Sequence, residues 1–248
     1  MAPKYIKWGN GKNVLIFLHY FGGDANCWKW VAEEISPEFT CIGINLSGFG
    51  NTPPMLVPST LNYALNIQSI LKEIGGITQY SLVGHSMGGK IALQLAAIDV
   101  KKRIKNIILL APSPPGMEPI KPVIKFQLLQ QPNKMEAVDI INSLTFNNLS
   151  KFKLDTAVNA QLTTDRSVRT WWVNIGSQQS IINQLHKITC PITVLYSKED
   201  DAINYRLIKK SVLPNLKNTK AVEIKTSGHL YPLEIPLCLA MKIEKICR

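Results

Sequence analysis

Six short runs of apolar residues, rich in Val, Ile and Leu, constrain the fold of this chain most strongly. In most of them apolar residues occupy consecutive positions, which is typical of strands buried on both faces of a parallel sheet. Between them lie stretches with helical periodicity, such as residues 62–74 and 90–99. The apolar runs are residues 14–18, 41–46, 80–83, 107–111, 192–196 and 221–225. Strands that alternate with helices predict an α/β sheet.

The dipeptide Asn10-Gly11 separates residues 5–8 from the first apolar run. Asn-Gly favours the two-residue turn of a β-hairpin. We therefore expect the first two strands to pair with each other, which would make the front edge of the sheet antiparallel.

Residues 112–188 interrupt the alternation, because they contain helix-like pieces and no convincing pair of strands. A long insert in a compact domain is usually a functional lid or a binding segment. We expect a core made of residues 1–111 and 189–248, and a mainly helical lid made of residues 112–188. Among the aromatic residues of this insert, Trp171 and Trp172 are candidate substrate contacts, with lid packing as the alternative.

Composition excludes several classes of protein. The chain has 248 residues, of which 46% are hydrophobic and 18% charged, as in globular proteins. The 28 Lys and Arg against 17 Asp and Glu give a net charge of +11. The cations are scattered apart from residues 101–103 and do not alternate with aromatics, which argues against a nucleic-acid partner and for a solvated surface.

Cysteine usage and hydropathy indicate the compartment. The five cysteines are odd in number and lack C-x-x-C spacing. Reduced thiols in a cytoplasmic protein explain them better than a zinc site does, so no metal is expected. No stretch approaches the roughly 20 apolar residues of a membrane-spanning helix.

A G-x-S-x-G motif is the strongest chemical signal. The sequence GHSMGG occupies residues 84–89, between a buried run and a helical stretch. In this strand–turn–helix context the motif forms a nucleophile elbow. A sharp turn at Ser86 brings positions 84 and 88 into close approach, where glycine removes a Cβ clash. Ser86 is therefore the candidate nucleophile.

With this elbow the chain resembles the α/β-hydrolase family, and the form GHSMGG is typical of lidded, esterase-like members. The resemblance covers residues 5–111 and 189–236. It implies the α/β-hydrolase fold, with a mostly parallel central sheet flanked by helices and a mainly helical lid inserted between core strands. It also implies the chain order Ser, acid, His, each in a loop after a strand, with no metal or organic cofactor.

The resemblance carries the catalytic histidine to residue 229. The sequence Ser-Gly-His at residues 227–229 follows the last apolar run, and residues 230–236 resemble the family's segment after its catalytic histidine. The other three histidines fit the family pattern less well, so His229 is the expected general base.

The acid is expected after the fifth apolar run, where residues 197–201 (SKEDD) offer three carboxylates. The family's G-x-x-D spacing, with Ser197 in place of the glycine, favours Asp200, and Asp201 is the runner-up. The carboxylate would fix the tautomer of His229 and stabilise its imidazolium.

The resemblance also implies an oxyanion hole. The family commonly has His-Gly-x after an early strand, and residues 19–21 read His-Tyr-Phe here. The backbone N–H groups of Phe21 and Met87 would then bind the developing negative charge. Tyr20 replaces the family's glycine. Its hydroxyl is a candidate substrate contact, and packing against the lid is the alternative.

Together these residues predict a serine hydrolase that cleaves small carboxylic esters through a Ser-His-Asp acyl-enzyme mechanism. Alternatives on the same triad are a lactonase or thioesterase, a C–C bond hydrolase, a cofactor-free perhydrolase and a lyase. A small-molecule receptor with a retained triad is the alternative from another class. The expected partner is an ester-like small molecule, and the oligomeric state is not predicted.

Overall fold

Seven strands form a single sheet in the computed structural model of the chain, which describes residues 2–35 and 37–248. They are β1 (Tyr5–Trp8), β2 (Asn13–Leu18), β3 (Phe39–Ile44), β4 (Tyr80–His85), β5 (Ile104–Leu110), β6 (Ile192–Ser197) and β7 (Thr219–Ile224). Their order is β1-β3-β2-β4-β5-β6-β7. Among the pairs formed by the described strands, only β1–β3 is antiparallel, so the expected mostly parallel sheet is confirmed.

The helices pack around this sheet, with α1 against α10 and α2 against α3. They are α1 (Lys29–Ile35), α2 (Thr60–Ile74), α3 (Met87–Ala97), α4 (Pro122–Leu129), α5 (Lys134–Leu144), α6 (Lys151–Leu162), α7 (Arg166–Asn174), α8 (Tyr205–Leu207), α9 (Tyr231–Glu234) and α10 (Pro236–Cys247). Across the described ranges, none of the helices has the length and apolar character that crossing a bilayer requires.

The hairpin expected at Asn10-Gly11 is wrong, although the edge strand is antiparallel. Strand β1 pairs with β3, in a register that places Tyr5 opposite Ile44. Strand β2 lies between β3 and β4 and is parallel to both. Both edges of β2 are therefore occupied, so β1 cannot pair with it. Strand β1 pairs instead with the other edge of β3.

The centre of the sheet is buried on both faces, as the consecutive apolar residues predicted. All six residues of β4 are buried, and so are all eleven residues of α3, which follows it. Parallel strands end at a common edge of the sheet. The loops that follow β2, β4, β6 and β7 therefore share one edge, and they carry the residues that the sequence singled out.

Between β5 and β6, all residues are described, and they form helices and turns without a strand. Helix α5 begins with a capping box, in which Asn133 and Glu136 exchange side-chain to backbone hydrogen bonds. The insert reaches the core at two glycines. The Gln161 side chain occupies the space beside Gly22, and Val168 lies against Gly48, so a Cβ at either glycine would collide with the insert.

Candidate active site

Ser86 lies at a strained turn between β4 and α3. Its backbone has φ 52° and ψ −117°, in the left-handed half of conformational space that side chains disfavour. A Cβ at Gly84 would lie 2.6 Å from the carbonyl oxygen of Gly88, and a Cβ at Gly88 would lie 2.5 Å from that of Leu18. The G-x-S-x-G spacing therefore has the steric reason that the sequence indicated.

Asp200 and His229 form a buried hydrogen-bonded pair. His229 Nδ1 lies 2.8 Å from Asp200 Oδ2, and the two side chains come from the loops after β6 and β7. Asp200 Oδ1 accepts the backbone N–H groups of Ala202 and Ile203, both at 2.9 Å. Asp200 is fully buried, whereas the runner-up Asp201 is exposed. The structure thus brings Asp200, not Asp201, to His229.

The pair stabilises its own charged forms. Burial disfavours the charge on both groups, but the mutual attraction and the shared hydrogen bond outweigh it. The pKa of Asp200 is lowered, with further help from the Ile203 N–H. The pKa of His229 is raised above 6.5, with further help from Glu118 and Glu234. The ionised Asp200 carboxylate would therefore stabilise an imidazolium that forms at His229.

The loop after β2 is held by His19. His19 Nδ1 donates to the carbonyl of Tyr20 at 2.8 Å, and its Nε2 accepts the N–H of Leu46 at 3.2 Å. Burial lowers the pKa of His19 to about 4, so the ring is neutral with its proton on Nδ1. The peptide between Tyr20 and Phe21 is trans, so the Phe21 N–H points away from His19. Met87 opens α3, where helix N–H groups lack intrahelical acceptors.

The three aromatic candidates for substrate contact are buried. Tyr20 is 2% exposed, and its ring lies 5.2 Å from the ring of His85. Trp171 packs 4.9 Å from Tyr63, and Trp172 lies beside the Lys90 ammonium. These contacts favour a packing role, and contact with substrate remains a prediction for all three.

His85 contacts the expected base directly, a role that the sequence reasoning missed. Its Nε2 donates to the carbonyl of His229 at 2.7 Å, and the two rings lie 5.0 Å apart. Burial, followed by the charge of His229, lowers the pKa of His85 well below 6.5, so it remains neutral. The position inside the elbow was the available signal, because residue 85 ends β4 and must pack beneath the serine.

Two ionisable side chains of opposite charge lie near the elbow, Lys90 buried and Glu118 partly buried. Lys90 Nζ donates to the carbonyls of Gly116 and Ser177, at 2.8 and 3.0 Å, and burial lowers its pKa to about 8. Glu118 Oε2 is buried, with no hydrogen-bond partner among the described residues. Burial raises the pKa of Glu118, although Ser113, Lys90 and His229 all favour its charged form.

Arg169 is a buried cation beside the loop of Phe21. Its Nη2 donates to the carbonyl and the Oε1 of Gln161, at 2.6 and 3.0 Å, and its guanidinium lies 5.7 Å from the Phe21 ring. Burial lowers its pKa to about 10, so it remains charged. A sequence signal existed, because Val168, Arg169 and Trp172 fall at i, i+1 and i+4 on one helix face.

The insert also borders the histidine. A cavity of about 120 Å³ lies against His229, between residues 143–146 of the insert and the loop that carries Asp201. In the described part of the chain, no three His, Cys, Asp or Glu side chains are grouped closely enough to hold a metal ion.

Comparisons with known proteins agree with this architecture. A family profile described as alpha/beta hydrolase fold matches residues 13–190, more than half of the chain. The chain is 32% identical over 109 residues to the dihydrolipoyllysine-residue acetyltransferase component of the acetoin cleaving system of Cupriavidus necator. That match covers 44% of this chain but only 29% of the relative, so the chain spans under a third of that protein.

A second relative matches over most of both chains. It is the 2-succinyl-6-hydroxy-2,4-cyclohexadiene-1-carboxylate synthase of Serratia proteamaculans, 24% identical over 215 residues, which are 81% of this chain and 82% of the relative. An esterase structure from Exiguobacterium antarcticum superimposes with a TM-score of 0.85 over 98% of this chain and 94% of that one. At 14% identity this likeness concerns the fold alone. The profile match establishes that the chain belongs to the α/β-hydrolase family.

Proposed function

We propose that this chain is a serine hydrolase that cleaves small carboxylic esters through an acyl-enzyme on Ser86. The observation that carries the proposal is the buried 2.8 Å hydrogen bond between His229 and Asp200, at the same sheet edge as the strained Ser86 turn. A base oriented by a buried carboxylate, beside a serine held in an elbow, is the arrangement of acyl-transfer enzymes.

The proposed reaction has two halves. His229 Nε2 takes the proton of the Ser86 hydroxyl as its oxygen attacks the ester carbonyl. The N–H groups of Phe21 and Met87 bind the oxyanion, and protonated His229 then gives its proton to the leaving alcohol. In the second half, His229 takes a proton from water as the water oxygen attacks the acyl carbon. The bond between the acyl carbon and the Ser86 oxygen then breaks, His229 returns the proton to Ser86, and the acid is released. Asp200 stays ionised throughout and supports the imidazolium.

We further propose that residues 112–188 act as a lid over a core of residues 1–111 and 189–248. Ser86 is only 8% exposed and His229 only 5%, so movement of residues 112–188 would widen the access of an ester to them. Helix α4 supports a mobile role, because none of its residues is buried.

A second candidate is a lyase or C–C bond-cleaving reaction on the same residues. The relative from S. proteamaculans favours a reaction other than ester hydrolysis, because it is named as a synthase and this chain matches it over most of its length. Such a reaction would use His229 and the oxyanion site without an acyl group on Ser86.

Hydrolysis of p-nitrophenyl esters from acetate to decanoate tests the first candidate. Ser86→Ala should lower kcat by about 10⁶-fold, the loss seen when a comparable triad is broken. Ser81→Ala is the matched control, because Ser81 is also buried in β4 but precedes the turn. Equal activity in Ser86→Ala and wild type would contradict the proposal. The acyl chain length that is hydrolysed fastest would indicate the size of the acyl pocket.

A further inference from the structure

Glu234, at the end of α9, binds the backbone on both sides of His229. Its Oε1 accepts the N–H of Leu230 and the hydroxyl of Ser227, each at 3.2 Å. Its Oε2 accepts the N–H of Gly228 at 3.1 Å. One carboxylate therefore fixes the chain immediately before and after the expected base.

The same carboxylate also binds the insert. Oε2 of Glu234 accepts the N–H groups of Phe146 and Asn147, at 2.7 and 3.0 Å. His229 itself donates its backbone N–H to the carbonyl of Leu144 at 2.6 Å. The insert turn after α5 is thus fastened to the loop that carries His229.

Two further contacts bring these segments together. A Cβ at Gly228 would lie 2.6 Å from the nitrogen of Phe146, so glycine is needed for this close approach. The Asn147 side-chain amide donates to the carbonyl of Thr226 at 2.6 Å. Thr226 has φ 58°, a strained value that such external bonds can hold in place.

We propose that Glu234 is a positioning residue, which orients His229 toward Asp200 by tying the histidine loop to the insert turn. The inference rests on the proposed role of His229 as the base. Five donors converge on Glu234, and only an ionised carboxylate offers them two acceptor oxygens with about four lone-pair sites. A glutamine amide offers one acceptor oxygen, and its NH₂ group would face N–H donors. Glu234→Gln therefore breaks the tie with almost no change in volume.

The charge of Glu234 has a separate, smaller effect. Burial lowers the pKa of His229, and Asp200, Glu118 and Glu234 raise it in that order of strength. The neighbouring ring of His85 is neutral and adds no charge. Neutralising Glu234 should therefore move the acid limb of the pH–rate profile to lower pH, and loosening His229 from Asp200 would move it the same way. A role in folding that left the His229–Asp200 pair intact would leave that limb in place.

The test compares the Glu234→Gln and Glu136→Gln variants of this chain with the wild type. Glu136 also accepts a backbone N–H, from Asn133 at 2.8 Å, but it lies at the start of α5 and does not contact the His229 loop. We expect faster amide hydrogen exchange in residues 144–147 and 227–230 together in Glu234→Gln, and in neither segment in Glu136→Gln.

The second readout is the rate at which a fluorophosphonate labels Ser86. Displacing a catalytic group by about 1 Å can cost on the order of 100-fold, so Glu234→Gln should label about 10- to 100-fold more slowly than the wild type. Labelling within twofold of the wild type, or loosening confined to one segment, would overturn the proposal. If Glu234→Gln does not fold, Glu234→Asp keeps the charge on a shorter side chain, and its labelling must slow.

These readouts distinguish failure of the proposed hydrolase function from failure of the proposed role of Glu234. If wild-type Ser86 does not react with the probe, the proposed hydrolase function fails. Coupled exchange of the two segments, measured without any substrate, still decides whether Glu234 ties them together.

Discussion

Replacing Asp200 with asparagine tests the acid assignment with the smallest change in shape. The Asn oxygen can still accept the N–H groups of Ala202 and Ile203, so two of the three hydrogen bonds at this site survive. The amide NH₂ then faces His229 Nδ1 where a carboxylate oxygen stood at 2.8 Å. Because NH₂ is a donor, Nδ1 must become the acceptor and the ring proton must move to Nε2.

The expected loss follows from that tautomer. A protonated Nε2 cannot take the proton of Ser86, and the imidazolium loses its carboxylate. The same exchange in a comparable serine protease lowers kcat by about 10⁴-fold. At about 1.4 kcal/mol per tenfold, this adds about 5 kcal/mol to the barrier. The free energy of unfolding should fall by less, about 1–3 kcal/mol, because only one hydrogen bond to a charged group is removed.

The assay is kcat on the best p-nitrophenyl ester, with urea unfolding in parallel. Asp201→Asn is the matched control, because Asp201 is exposed and should keep wild-type activity. Asp200→Asn activity within tenfold of the wild type would refute the reasoning, and so would a large loss in Asp201→Asn.

Four more predictions rest on burial, charge and close contacts. Because the pKa of His229 is raised above 6.5 and the neutral base is the active form, kcat/KM should rise with pH through a midpoint above 6.5; a midpoint below 6 would contradict it. The same raised pKa means that protonated His229 stabilises the fold. We expect this contribution to the free energy of unfolding to be complete below pH 6.5 and to disappear as the pH rises through the folded pKa, and urea unfolding at several pH values measures it. Gly84→Ala should cost about 1–3 kcal/mol in urea unfolding, since its Cβ would meet the Gly88 carbonyl at 2.6 Å, and unchanged stability would refute this. Exposed Cys238 should react with maleimide in the native state, whereas Cys41, whose pKa burial raises to about 12, should react only after unfolding; labelling with peptide mapping decides.

The local pattern of apolar residues predicted much of the fold. Consecutive apolar residues predicted β4 because a strand between two helical layers needs no polar face. The hairpin at Asn10-Gly11 was wrong because strand order depends on which edges the finished sheet leaves free. A turn propensity within a few residues contains no information about the competition of β3 and β4 for β2.

Some residues of the candidate site could also be predicted from local sequence, and others could not. Ser86 follows from spacing, because a motif of five residues encodes its own steric requirement. The family spacing favoured Asp200 over its neighbour Asp201, and the folded loop shows that the Asp200 carboxylate is the one that turns inward. Glu234 could not be anticipated, since its bonds to Phe146 and Asn147 join segments separated by 88 and 87 positions in the chain.

The central claim is that Ser86 carries the acyl group. Trypsin releases Ser86 and Ser81 together in a peptide of residues 73–90, bounded by Lys72 and Lys90. The measurement is mass spectrometry with fragmentation of this peptide after acid quenching of the enzyme during turnover of a p-nitrophenyl ester. The account predicts the acyl mass on Ser86 and none in Ser86→Ala. Ester turnover with no acyl mass in the peptide, or with the acyl group on Ser81, would contradict it.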